Sequence, residues 1–187
     1  MVQSQPSLQS LAEPIAVDFL NSVRRSNDRL IDRLDTGEAL LSWLEQARLV
    51  PAAVLAAVRA ETPSGELNEI AVQARNLREW FRTFVRTHGG RVLQDDDLEA
   101  LTPLNALLER DEVFCQLVEA DSKVTGLDLQ VRRRWGSPGT LLVAIAQALA
   151  TFICDTDFSR IELHESHEVR NSNMHPPTSF FLSPSLQ

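Results

Sequence analysis

From Leu141 to Cys154 the chain runs fourteen positions without a charged residue, Leu-Leu-Val-Ala-Ile-Ala-Gln-Ala-Leu-Ala-Thr-Phe-Ile-Cys. As a helix this segment is apolar on almost every side, and such a helix holds in water only when neighbours cover it all round. The uncharged apolar-rich run, Thr140–Cys154, has 15 residues, short of the roughly 18–20 that span a bilayer. It is therefore expected to be the centre of a soluble core, started by Ser137 as cap and Pro138 at the first helical position. The rest of the chain has to supply the elements that wrap it.

Several helices offer the necessary apolar faces. Leu67, Ile70, Ala71, Ala74, Leu77, Phe81, Phe84 and Val85 recur at a spacing of 3–4, predicting an amphipathic helix of about 20 residues and roughly 30 Å. His88-Gly89-Gly90 ends it, with glycine expected at a left-handed cap. Arg75, Arg78 and Arg82 fall along one flank and read first as a solvated basic face. A first helix is expected over 14–25, opened by Pro14, with Ala16, Phe19, Leu20 and Val23 inward and Asp18, Asn21 and Arg25 on a polar stripe. Residues 26–29 then read as a loop. Asp35 or Thr36 caps a helix that turns Leu40, Leu41, Leu44 and Ala47 inward, and Pro51 opens a shorter one. Asp95-Asp96-Asp97 starts a further helical stretch, broken at Pro103 with Thr102 as a new cap.

Between these helices the period changes to two. Leu127, Leu129, Val131, Arg133 and Trp135 alternate with polar residues, and Val113–Glu119 precedes them across an Asp121–Gly126 turn. That pattern predicts an antiparallel hairpin. The expected fold is α+β and mainly α: a multihelical domain over 11–160, with a small antiparallel β-hairpin beside the central apolar helix. Arg160–Leu163 reads as a further strand, and 161–187 as a flexible C-terminal region.

The balance of 18 basic against 26 acidic residues, a net charge of −8, argues against a surface that grips phosphate backbones in general. Arg132-Arg133-Arg134 is the one basic run, and on a strand its members alternate faces. Cys115 and Cys154 sit in apolar segments and read as buried thiols rather than a disulfide framework. The N-terminus has no signal-peptide pattern, so a cytoplasmic protein is expected.

No phosphate-binding loop, dinucleotide glycine motif, nucleophile elbow or Cys-x-x-Cys is present. His164 and His167 are three apart, and with His175 they could ligate zinc; a small metal-dependent enzyme built on these C-terminal histidines is one alternative. A second is a dimeric protein-interaction module. The remaining constellation is Asp18, Asn21, Arg78 and Arg82. An acid, an amide and arginines around a pocket would hold a small polar or anionic ligand, and the same residues would equally serve as an ion pair bracing two helices, with Asp18 and Asn21 meeting Arg78.

Ala16-Val-Asp-Phe-Leu-Asn-Ser22, Leu34-Asp-Thr-Gly-Glu-Ala-Leu-Leu-Ser-Trp-Leu44 and Ala74-Arg-Asn-Leu-Arg-Glu-Trp-Phe81 together resemble the ABATE domain of the CGNR zinc-finger proteins. The resemblance covers roughly 11–160 and keeps the order of elements. It implies a bacterial, stress-related transcription regulator whose N-terminal domain senses or binds something and is not catalytic. In the family, the chain continues into a zinc module with two cysteine pairs and a Cys-Gly-Asn-Arg signature, thought to contact DNA. Here Arg160–Gln187 contains no cysteine, and His164 stands about where the first ligand would be expected. The resemblance therefore implies a sensing domain with an absent or degenerate finger, in which zinc and DNA binding through that module are not expected.

Overall fold

The computed structural model describes residues 8–26, 29–120 and 125–161. Six helices and two small antiparallel sheets follow in the order α1 (Leu8–Leu20), β1 (Val23–Ser26), β2 (Arg29–Asp32), α2 (Gly37–Gln46), α3 (Ala52–Glu61), α4 (Ser64–His88), α5 (Thr102–Leu108), β3 (Val113–Glu119), β4 (Leu127–Arg133) and α6 (Thr140–Asp155). A 3-10 stretch, Asp95–Leu101, precedes α5, and a 3-10 turn, Phe158–Arg160, follows α6. The fold is α+β and mainly α.

Helix α6 is the buried centre. All of its residues from Leu141 to Ala146 are buried, as are Ala148, Leu149, Phe152 and Ile153. Helix α1 packs chiefly on α6, and α2 on α4. Phe81 of α4 meets Phe152 of α6 edge-on at 5.9 Å, and Phe158 closes the cluster against both Phe84 and Phe152. Aromatic pairs at such distances favour these tilted arrangements over face-to-face stacking. The chain passes close to α4 at Gly37, where an added Cβ would lie 2.4 Å from the Leu67 Cβ. The Gly37 N–H donates to Asn68 Oδ1 at 2.9 Å, which fastens the start of α2 to α4. No described helix is long and apolar enough to cross a membrane.

Some expectations about local structure are corrected. Helix α1 runs from Leu8 to Leu20 with Pro14 inside it, not from 14 to 25. It stops because Ser22 turns back, its hydroxyl donating to the Phe19 carbonyl at 2.7 Å, and the chain enters β1. Residues 23–26 and 29–32 form a hairpin, so the expected loop over 26–29 and the helical stripe that included Arg25 are replaced by β1 and β2. The left-handed glycine after α4 is Gly90 (φ +82°), while Gly89 is extended. Arg160 belongs to the 3-10 turn rather than to a strand, and 162–163 lie outside the described residues. Thr36 caps α2, its Oγ1 accepting from the Ala39 N–H at 3.1 Å.

In the β3–β4 hairpin Cys115 faces Val131, and Leu117 faces Leu129. The apolar side chains on this face are exposed, Leu117 by 65%, Leu129 by 62% and Val131 by 71%. Both cysteines are exposed as well, contrary to the expectation of buried thiols. At Cys115 the neighbouring apolar side chains of the hairpin are themselves uncovered, and Cys154 lies at the exposed C-terminal end of α6, beyond the buried Phe152 and Ile153. Arg133 holds the hairpin to the body, its Nε donating to Asp111 Oδ1 at 2.6 Å and its Nη2 to Asp111 Oδ2 at 2.7 Å and to Gln147 of α6.

Candidate functional site

The four polar residues marked out by the sequence sit near one another but take different partners. Arg33 Nη1 donates to Asp18 Oδ1 at 2.7 Å, and the indole N–H of the buried Trp43 donates to Asp18 Oδ2 at 2.7 Å. Asp18 therefore pairs with Arg33 rather than with Arg78. Arg78 meets Asp32 in two-point fashion, at 2.7 and 2.8 Å, and also donates to the Ser22 hydroxyl at 2.8 Å. Arg82 donates to Glu79 and to the Leu20 carbonyl at the end of α1. Asn21 lies in the turn after α1, where its backbone N–H reaches the Val17 carbonyl at 2.9 Å. Arg75 donates to the carbonyls of Leu34 and Asp35.

The arginine flank of α4 is thus not a solvated face. Arg78 and Arg82 are only 3% and 8% exposed, and their guanidinium groups tie α4 to the end of α1 and to the β1–β2 hairpin. Burial alone would raise the pKa of Asp32. The hydrogen bonds from Arg78 and the Leu34 N–H, with the charges of Arg78 and Arg75, hold it below the usual carboxylate value. Burial likewise works against the charged form of Arg78, and its bonds to Asp32 and Glu79 more than offset that. The geometry is that of a brace: each carboxylate is matched, and the fork of Arg78 is filled by protein. Asp32, Ser22, Arg33 and Trp43 complete it. The sequence reading passed over them because the β1–β2 hairpin that brings Asp32 to Arg78 was itself read as helix and loop.

A different place on the molecule offers room. Where β4 runs into α6, a cavity of about 410 Å³ is lined by Arg110, Glu112, Arg134, Ser137 and Thr140, with the buried Val143 among its apolar walls. Volumes of this order are typical of small-molecule sites. No acceptor among the described residues takes a hydrogen bond from the guanidinium of Arg110 or of Arg134, nor does either form an ion pair there. Arg134 is steadied over the ring of Phe114 at 4.9 Å, a cation–π contact that leaves the N–H edge of a guanidinium available. Arg110 reaches across the start of α6, its Nη2 2.9 Å from where a Cβ on Gly139 would stand. A side chain at 139 would displace it.

A second depression of about 350 Å³ adjoins the first and shares Gly136 and Ser137 with it. Its lining changes character, to Val54, Ala57, Val58 and Glu61 of α3 with Thr62, Trp135 and Pro138. The two lie side by side, the first with two arginines and Glu112, the second mostly apolar with Glu61 in its wall. The sequence pattern places Arg134 and Trp135 on a strand, and nothing in it shows that α3 comes alongside them.

Among the described residues no group of three or more histidine, cysteine, aspartate or glutamate side chains is placed to hold a metal ion. His164, His167 and His175, the candidate zinc ligands, lie outside the described residues.

No curated protein matches the sequence. A family model does, over residues 13–156, which takes in the chain from within α1 through α6; the family is ABATE, described as "putative stress-induced transcription regulator". With most of the chain matched, and with the helices in the order the family motifs imply, this protein belongs to the ABATE family.

Proposed function

We propose that this chain is a ligand-sensing regulatory domain of a stress-response transcription regulator, and that what it contributes is recognition of a small molecule rather than catalysis. One observation carries the reading: a groove of small-molecule size in which two guanidinium groups have no acceptor among the described residues. The covered arginines Arg78 and Arg133 are matched by Asp32 and Asp111, whereas Arg110 and Arg134 stand exposed at the groove. The family to which the chain belongs supports the regulatory half of the proposal. The absence of cysteine from 160–187 leaves no four-cysteine zinc site in that stretch. Of the single basic run, Arg133 is already spent on Asp111 and Gln147, so sensing, not DNA contact, is the part assigned to these residues.

A thermal-shift panel of small acids, nucleotides, amines and neutral metabolites tests it. Binding to the native state raises the melting temperature in proportion to ligand excess over Kd. At least one chemical class is expected to raise it with a saturable dose dependence. A panel that stays flat, together with regulated genes whose expression is unchanged when the chain is deleted, would overturn the proposal.

A further inference from the structure

We infer that the exposed apolar face of the β3–β4 hairpin is an interface between two copies of this chain, packed face to face about a two-fold axis. The inference is independent of the sensing role, because this face shares no residue with the lining of either cavity.

Residues two apart on a strand share a face, and residues directly opposite in the ladder share it with them. Cys115 pairs with Val131, Leu117 with Leu129 and Glu119 with Leu127. Val113, Cys115 and Leu117 therefore lie on one side of the ribbon together with Leu127, Leu129 and Val131. The five aliphatic side chains of this set are 48% to 71% exposed, and Cys115 is exposed among them. Charge enters the face only at two diagonal corners, Glu119 and Arg133, and Arg133 is already held by Asp111. An apolar face on an alternating strand normally lies against a core. Here the ribbon leaves that face in water.

Area and pattern both point to a second copy as the occupant. The five aliphatic groups expose on the order of 500 Å² of apolar surface, at the upper end of the largest patches that monomers carry. Two copies face to face remove twice as much, on the order of 1,000 Å², the size that a specific interface has to reach. The face also matches itself. Whether the two-fold axis runs along the strands or across them, the middle rows Cys115–Val131 and Leu117–Leu129 of one copy meet the same rows of the other. Exposed strands that stay single usually carry charges or prolines that block association, and β3 has neither from Val113 to Val118. Copies of a chain with a net charge of −8 repel one another, and this face brings a single acid, Glu119, to the contact. A nucleic acid is not its occupant, since that would need a row of free cations.

Sedimentation equilibrium of the intact chain tests it. Between about 1 and about 200 µM the data are expected to fit a reversible monomer–dimer with a micromolar Kd, the weak end for contacts of this kind. Association should be tighter at about 1 M than at about 0.1 M sodium chloride, because salt screens the repulsion between copies and leaves the apolar contact intact. Leu117→Ser and Leu129→Ser should each weaken it about tenfold, as loss of a buried aliphatic group does, while Gln116→Ser on the reverse face should leave Kd unchanged. Because these side chains are exposed in the single copy, none of the three should move the melting temperature of dilute protein by more than about 2 °C. Stacked sheets about 10 Å apart bring the two Cys115 Cα atoms within about 12 Å. With Cys154→Ser leaving Cys115 as the sole thiol, a short bismaleimide should therefore join two copies, and adding Leu129→Ser should abolish the product. Exchange of the β3 and β4 amides should slow as concentration passes Kd, since below it the ribbon stands bare. A chain that stays monomeric at about 200 µM, a dimer indifferent to both serine variants, or one that salt dissociates overturns the inference. A monomer whose Cys115 reacts with maleimide only after Phe180→Ser and Phe181→Ser are introduced assigns the face to the chain's own C-terminal stretch, and overturns it as well.

Discussion

Asp18 shows how little a side chain's charge can have to do with its purpose. It is half exposed, and an ion pair with Arg33 in that setting contributes little. Its second oxygen accepts from the indole of Trp43, which is 1% exposed and tilted against Phe19 at 5.3 Å. Asp18→Ala leaves that buried N–H without an acceptor and should cost about 1–3 kcal/mol, whereas Asp18→Asn keeps an oxygen in place and should cost less; urea unfolding of the two variants separates them. Arg78 behaves in the opposite way. Its partner Asp32 is largely covered, so Arg78→Ala should cost about 3–5 kcal/mol by stranding a carboxylate inside the protein. The folded-state pKa of Asp32 lies below the reference value of 3.8. Its contribution is therefore complete above that pH and disappears as pH falls through the folded value. Asp32→Asn should be less stable than the wild type near pH 7 and should lose less stability between about pH 4 and about pH 2, measured by denaturant titration. A wild type and variant with parallel pH profiles would contradict this.

At the level of elements, the contact between α2 and α4 is the tightest test of packing. An alanine at Gly37 would press its methyl into the backbone and Cβ of Leu67, so the two helices would have to separate. Gly37→Ala should destabilise by about 1–3 kcal/mol, the range for overpacking a close-packed site, and a calorimetric melt within experimental error of the wild type would refute it. The long helices were legible from sequence because their apolar positions repeat many times. Helix α4 keeps its period from Leu67 to Val85, and α6 is uncharged over four turns. The β1–β2 hairpin was not legible. Its strands have four residues each and carry arginines where alternation would have to show, and the only signal was an Asn27-Asp28 pair between them, a composition suited to a two-residue turn. Missing that hairpin misassigned the partner of Asp18, since Asp32 and Arg33 reach their places only through it.

For the whole molecule, the polar constellation around Asp18 and Arg78 holds the fold together, and the groove joins Arg134 and Trp135 of the strand pattern to residues from distant stretches. Ala57, Arg110 and the adjacent pair Arg134-Trp135 come from three separate stretches, and no periodicity or motif links the three. Their juxtaposition depends on α3 passing alongside the β4–α6 connection, which is a property of topology and not of any local pattern. The hairpin of β3 and β4 has a different consequence. It is a two-stranded sheet whose apolar face is exposed and which touches the body chiefly through Arg133. An isolated two-stranded sheet is marginally stable in water, so its strands should separate in opening events far cheaper than global unfolding. Hydrogen–deuterium exchange followed by mass spectrometry should find the amides of Val113–Glu119 and Leu127–Arg133 exchanging long before those of α6, and protection equal to that of α6 would show the strands to be held by more than their own ladder. On the timescale of that exchange the molecule is a rigid helical body carrying a ribbon that repeatedly melts and re-forms beside the mouth of its groove.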